Sequence, residues 1–128
     1  MNGFAAYHNT ELNKPLNNLQ STFLNVRVVY GDYYRALTTL LHGAPRYGFN
    51  QNTLFTACCG GGGRYNTGTP CGSAGATVCP NPSRYVNWDG IHLTDEAHHR
   101  MADIIVNDML PKFGCSNFED SGVLMSSY

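Results

Sequence analysis

Asp89 and His92 lie three residues apart in the stretch Y-V-N-W-D-G-I-H-L-T-D-E-A-H-H-R-M, residues 85–101. A carboxylate hydrogen-bonded to an imidazole fixes the tautomer of the ring and stabilises the imidazolium that forms when the ring takes a proton. Gly90 between them suits a short loop. Thr94, followed by Asp95 and Glu96, suits the cap and first turn of a helix. An acid and a base are two parts of a three-part device whose third part is an activated Ser or Cys. The aromatic neighbours Tyr85 and Trp88 favour a buried, oriented pair over a loop that carries an incidental histidine.

The other chemistry-bearing residues are weaker candidates. Ser73 stands in C-G-S-A-G, whereas a nucleophile elbow needs Gly two residues before the Ser and a strand-to-helix turn around it. Gly60–Gly63 could suggest a phosphate loop, but Arg64-Tyr65-Asn66 follows where a helix start and a Lys-Ser/Thr pair belong. A plain turn is the better reading. Cys58, Cys59, Cys71 and Cys79 lack a C-x2-C knuckle, which argues against a zinc site. His98 and His99 are adjacent on the last helix, cannot share a face, and read as solvent-facing. No metal or cofactor is implied.

The elements that must position the pair are an α/β set. Apolar residues at 4, 12, 16, 19 and 23 predict an amphipathic helix, with a kink or break near 11–15 because Pro15 removes a hydrogen bond and crowds the preceding turn. The ring could instead begin a second helix. Asn25 to Tyr30 is β-branched and nearly continuous in apolar character, which suits a strand covered on both faces in a parallel sheet. Asp32 caps a helix to about His42, which Gly43 and Pro45 end. The last helix runs from about Thr94 to Leu110, with Ala97, Met101, Ile104, Ile105 and Met109 on one stripe and Pro111 and Gly114 as its stop. Between Tyr47 and Asn87 periodicity is lost in a long Gly- and Cys-rich loop, and the tail over 116–128 is expected to fray.

With 128 residues the chain is one domain at most. Only 13% of residues are charged and the net charge is −1, so it carries no electrostatic footprint for nucleic acid or an anionic membrane. No apolar run reaches the roughly 18 to 20 residues needed to span a bilayer. Four cysteines within one loop suggest disulfides and an oxidising compartment, Cys58 and Cys59 each pairing with Cys71, Cys79 or a partner outside the chain, while Cys115 stands alone. Met1 to His8 lacks the features of a signal peptide, so Met1 is not expected to be the natural start.

W-D-G-I-H-L-T at 88–94 resembles the last catalytic block of the plant GDSL esterase/lipase family, within the SGNH hydrolases. In the same order, Y-H-N-T-E-L-N at 7–13, V-V-Y-G-D-Y-Y at 28–34, A-C-C-G-G-G-G-R-Y-N at 57–66, C-G-S at 71–73, V-C at 78–79 and P-S-R-Y-V-N-W-D-G-I-H at 82–92 look like that family. The resemblance implies the C-terminal part of a three-layer α/β/α sandwich with a parallel sheet, residues 1–128 forming a partial domain. It makes Asp89 and His92 the acid and base of a Ser-His-Asp triad that hydrolyses carboxylic or lipid acyl esters. It also implies a secreted protein with a small-molecule ester or lipid substrate and no cofactor. No G-D-S occurs in the chain, and the nucleophile and oxyanion blocks of the family have no counterpart here. A non-catalytic remnant, or a partner-binding disulfide module, is the competing expectation.

Overall fold

In the computed structural model, residues 2–115 are described. The chain divides into two units, residues 37–102 and the described parts of 1–36 and 103–128. Helices α2 (Tyr33–His42) and α3 (Asp95–Met109) each run through the division.

Most of the buried side chains lie in the unit 37–102. Leu40, Ala44, Phe49, Leu54, Ala57, Cys58, Cys59, Val86, Ala97 and Met101 are buried there. Removing large side chains such as Phe49, Leu40 and Met101 from water contributes about 1.5–3 kcal/mol each. The long Gly/Cys-rich stretch is ordered rather than patternless. Short 3-10 turns at Ala44–Tyr47, Gln51–Thr53 and Pro82–Arg84 flank a two-stranded antiparallel ladder, β1 (Cys59–Gly60) against β2 (Thr77–Val78), with Cys59 opposite Val78 and Gly60 opposite Thr77. Disulfide Cys58–Cys79 links the residue before β1 to the residue after β2, and Cys59–Cys71 ties β1 to the segment between the strands. They resolve the pairing that spacing left open and occupy the thiols a zinc site would need. In the tetraglycine, close approach requires Gly60: a Cβ there would stand 2.1 Å from the Asn66 carbonyl oxygen.

α3 begins as its sequence requires. The Thr94 hydroxyl accepts the Ala97 N–H (3.2 Å) and donates to the Tyr85 carbonyl (2.6 Å), so one buried side chain caps the helix and ties its start to the preceding segment. Ala97 and Met101 form the buried part of the stripe. A 3-10 turn at Leu110–Phe113 and a left-handed Gly114 end the run.

In the other unit the α2 cap is present, the Asp32 carboxylate accepting the Arg35 N–H at 2.9 Å. Two expectations fail. The break near Pro15 is absent, because α1 runs unbroken over Asn2–Thr22; one missing hydrogen bond among 21 residues does not end it. The expected strand over 25–30 forms no ladder either. A strand needs a paired neighbour, and here the Gln20 carboxamide bonds both the Val26 carbonyl (2.9 Å) and the Val28 N–H (2.8 Å). No parallel pair occurs among the described residues. The apolar stripe of α1 is not buried: Phe4 is 77% and Leu19 45% exposed. The expectation of a frayed tail over 116–128 lies outside the described residues.

Candidate active site

Residues 86–94 form a closed turn. The Trp88 N–H donates to the His92 carbonyl (2.8 Å) and the Thr94 N–H to the Val86 carbonyl (3.0 Å), which places Asn87 opposite Leu93 in an antiparallel bridge. Asp89, Gly90 and Ile91 are its tip. The outer edge of the turn is fixed to the disulfide-bearing segment, since the Cys58 N–H donates to the Asn87 carbonyl (3.0 Å) and the Cys59 N–H to the Trp88 carbonyl (2.6 Å). On its other side the Cys58 carbonyl accepts the Cys79 N–H at 2.7 Å. The C-C motif and the W-D-G-I-H motif are therefore neighbours in one hydrogen-bonded assembly.

At the tip, the Asp89 carboxylate has two jobs. Its Oδ1 accepts the Ile91 N–H (2.9 Å) and the His92 N–H (2.8 Å), and its Oδ2 lies 2.7 Å from His92 Nδ1. The main-chain bond from His92, the contact with its ring and the bond from Ile91 together hold the Asp89 carboxyl down to about 2, below its ordinary 3.8. An ionised acceptor at Oδ2 selects the tautomer with the proton on Nδ1 and leaves Nε2 as the ring nitrogen able to take another. Gly90 is required by its backbone, with φ +97° and an added Cβ only 2.7 Å from Thr67 Cγ2.

The structure brings Asp89 and His92 together and orients them, but it does not bury them. The His92 side chain is 68% exposed and that of Asp89 18%. Tyr85 and Trp88 are half-buried; the Asp89 carboxylate is oriented by the main-chain N–H groups of Ile91 and His92. Ser73 sits in an exposed turn, its N–H donating to the Pro70 carbonyl, and His98 and His99 are exposed on α3. Among the described residues no group of three His, Cys, Asp or Glu side chains could hold a metal, and none of the helices is long and apolar enough to cross a membrane. Sequence reasoning missed Asn87, whose Oδ1 accepts the Gly90 N–H at 2.8 Å, and Thr67. The signal for Asn87 was available, an Asn two residues before the Asp and three before a Gly. Thr67 left none.

Comparison with known proteins adds the chemistry of relatives. A family model described as GDSL-like Lipase/Acylhydrolase matches residues 1–105. A GDSL esterase/lipase of Arabidopsis thaliana is 46% identical over 109 residues, covering 84% of this chain and 28% of that protein. Sinapine esterase of Brassica napus is 41% identical with the same coverage. Acetylajmalan esterase 1 of Rauvolfia serpentina is 37% identical over 118 residues, 91% of this chain and 31% of its own length. The chain thus spans under a third of the length of these curated relatives. No solved structure matches it.

Proposed function

The chain belongs to the GDSL-like lipase/acylhydrolase family, and from that premise we propose that Asp89 and His92 are the acid and base of a Ser-His-Asp triad that hydrolyses carboxylic esters. The observation that carries this reading is the 2.7 Å contact between Asp89 Oδ2 and His92 Nδ1. In the reaction, His92 Nε2 takes the proton of a serine hydroxyl as that oxygen bonds to the acyl carbon. The same proton then passes to the leaving alkoxide, and water repeats the sequence to release the acid. Asp89 stays ionised throughout and balances the imidazolium. The serine and the oxyanion donors come from a portion of the protein outside these 128 residues, which form the C-terminal part of a three-layer α/β/α sandwich. The substrate is a small-molecule or lipid ester, in keeping with the names of the esterase relatives. Two disulfides suit a secreted protein.

The test joins this chain behind the nucleophile-bearing portion of a family relative and counts competent molecules with an active-site titrant. His92→Ala is expected to lower kcat/KM by several orders of magnitude per titrated site. Retention of near-parental activity would remove His92 from the role of base.

A further inference from the structure

Three peptide planes separate the Asp89 Cα from the His92 Cα, and each carries one N–H. Those of Ile91 and His92 are both held by Asp89 Oδ1. The plane between Asp89 and Gly90 is held by a different residue, because the Gly90 N–H donates to Asn87 Oδ1 at 2.8 Å. We propose that Asn87 is a positioning residue for the Asp89–His92 pair, its side chain fixing the one peptide plane of the tip that Asp89 cannot fix itself. This rests on the reading of Asp89 and His92 as acid and base.

The need for such a residue follows from Gly90. Glycine has the widest backbone freedom of any residue, and this one has φ +97° at an exposed tip. Peptide groups are rigid planes, so motion at the tip is rotation about the bonds that flank Gly90 and Asp89. The Asp89 carboxylate reaches the ring of His92 only if its own Cα and that of His92 keep their separation and tilt. Asn87 is well placed to impose this. Its carbonyl accepts the Cys58 N–H and it lies opposite Leu93 between two main-chain hydrogen bonds. Orientation thereby passes from the disulfide-linked segment, through one amide side chain, to the acid.

A purely structural role makes a different forecast. The bonds that close the turn, Trp88 N–H to His92 O and Thr94 N–H to Val86 O, do not use the Asn87 side chain. Water can take the exposed Gly90 N–H when that side chain is removed. Losing it should leave the turn closed and the tip unfixed.

The experiment uses the full oxidised chain with 15N-labelled histidine, read by long-range ring nitrogen spectra where the imidazoles are neutral. In the parent, His92 should show mainly the Nδ1–H tautomer that a carboxylate at Nδ1 imposes. Asn87→Ala should shift most of His92 to the Nε2–H form that a free neutral imidazole favours, while His8, His42, His98 and His99 keep their signals and the Trp88 and Thr94 amides keep their protection. Asn87→Asp retains an acceptor for the Gly90 N–H and should restore the parental tautomer. If Asn87→Ala leaves His92 unchanged while Asp89→Asn abolishes the Nδ1–H form, Asn87 is not a positioning residue and the acid–base reading stands. A parental His92 that already resembles Asp89→Asn would overturn both.

Discussion

Replacing Asp89 by Asn separates an acid that orients a base from an acid that only ties a loop. Asn keeps the shape of the side chain and one carbonyl oxygen. Two N–H donors, those of Ile91 and His92, face Oδ1 within 2.9 Å, so the new carbonyl must face them and the new amide NH2 must face His92 Nδ1. The turn therefore keeps its local bonds. At the ring, a donor now replaces the acceptor that stood 2.7 Å away, and Nδ1 can satisfy it only by giving up its proton. The proton moves to Nε2, the nitrogen that in the proposed reaction accepts the serine proton. Structure survives and the base is lost. The expected fall in rate is about 10⁴, the size seen when the same substitution imposes the wrong tautomer in serine proteases. The assay is kcat/KM on the nucleophile-bearing fusion, per titrated site, with the melting temperature followed in parallel. A variant within tenfold of the parent would refute the reasoning, since a carboxylate that only secures two N–H groups is replaced by Asn at little loss.

Gly90→Ala should destabilise the protein by about 1–2 kcal/mol from the positive φ alone, with more from the 2.7 Å approach to Thr67 Cγ2. Urea unfolding of Gly90→Ala with Thr67→Ser, which removes that methyl, should recover the contact part and leave the φ part. For the disulfides, loss of Cys58–Cys79, which closes 21 residues, should cost about 0.5 kcal/mol more than loss of Cys59–Cys71, which closes 12, if unfolded-chain entropy governs; paired Cys→Ala variants compared in denaturant check the order. The Asp89 carboxyl should titrate near pH 2 by side-chain 13C shifts, against 3.8 for a free one. Because its folded pKa lies below the unfolded value, its contribution to stability is complete above pH 3.8 and is lost as the pH falls through about 2. A midpoint at the ordinary value would show that the N–H bonds to Asp89 do not form in solution.

Local signals in the sequence were legible where one residue sets one conformation. Asp32 and Thr94 bond the N–H groups three residues on, as helix caps do, and Gly43 and Gly114 follow the ends they were expected to mark. Asp89 and His92 were legible as a pair because their spacing is that of a single turn. What could not be read depends on neighbours. A β-branched run such as Val26 to Tyr30 states a preference for extended backbone, but a ladder needs a second strand, and among the described residues a glutamine side chain takes the two bonds instead. The apolar stripe of α1 likewise states only that the helix could be covered, and Phe4 and Leu19 remain exposed. Tyr85 and Trp88 suggested burial of the pair, and that inference overreached because aromatic residues near a site do not fix which way it opens.

The cysteines show why two motifs far apart in the chain belong to one physical device. Taken separately, C-C-G-G-G-G is a turn between disulfides and W-D-G-I-H is a loop with an acid and a base. The main-chain bonds from Cys58 to Asn87 and from Cys59 to Trp88 join them, so the segment that carries both cystines is also the support of the catalytic candidate. Such a support matters more because His92 is exposed. A buried acid and base can be held by the packing of their own side chains, whereas an imidazole with 68% of its side chain in solvent has few packing contacts to restrain it. Its orientation has to come through the backbone, and each N–H between Asp89 and His92 is accordingly bonded to a side-chain oxygen. The covalent bridges at 58–79 and 59–71 then act on the site without touching it, by restraining the segment from which those hydrogen bonds are hung.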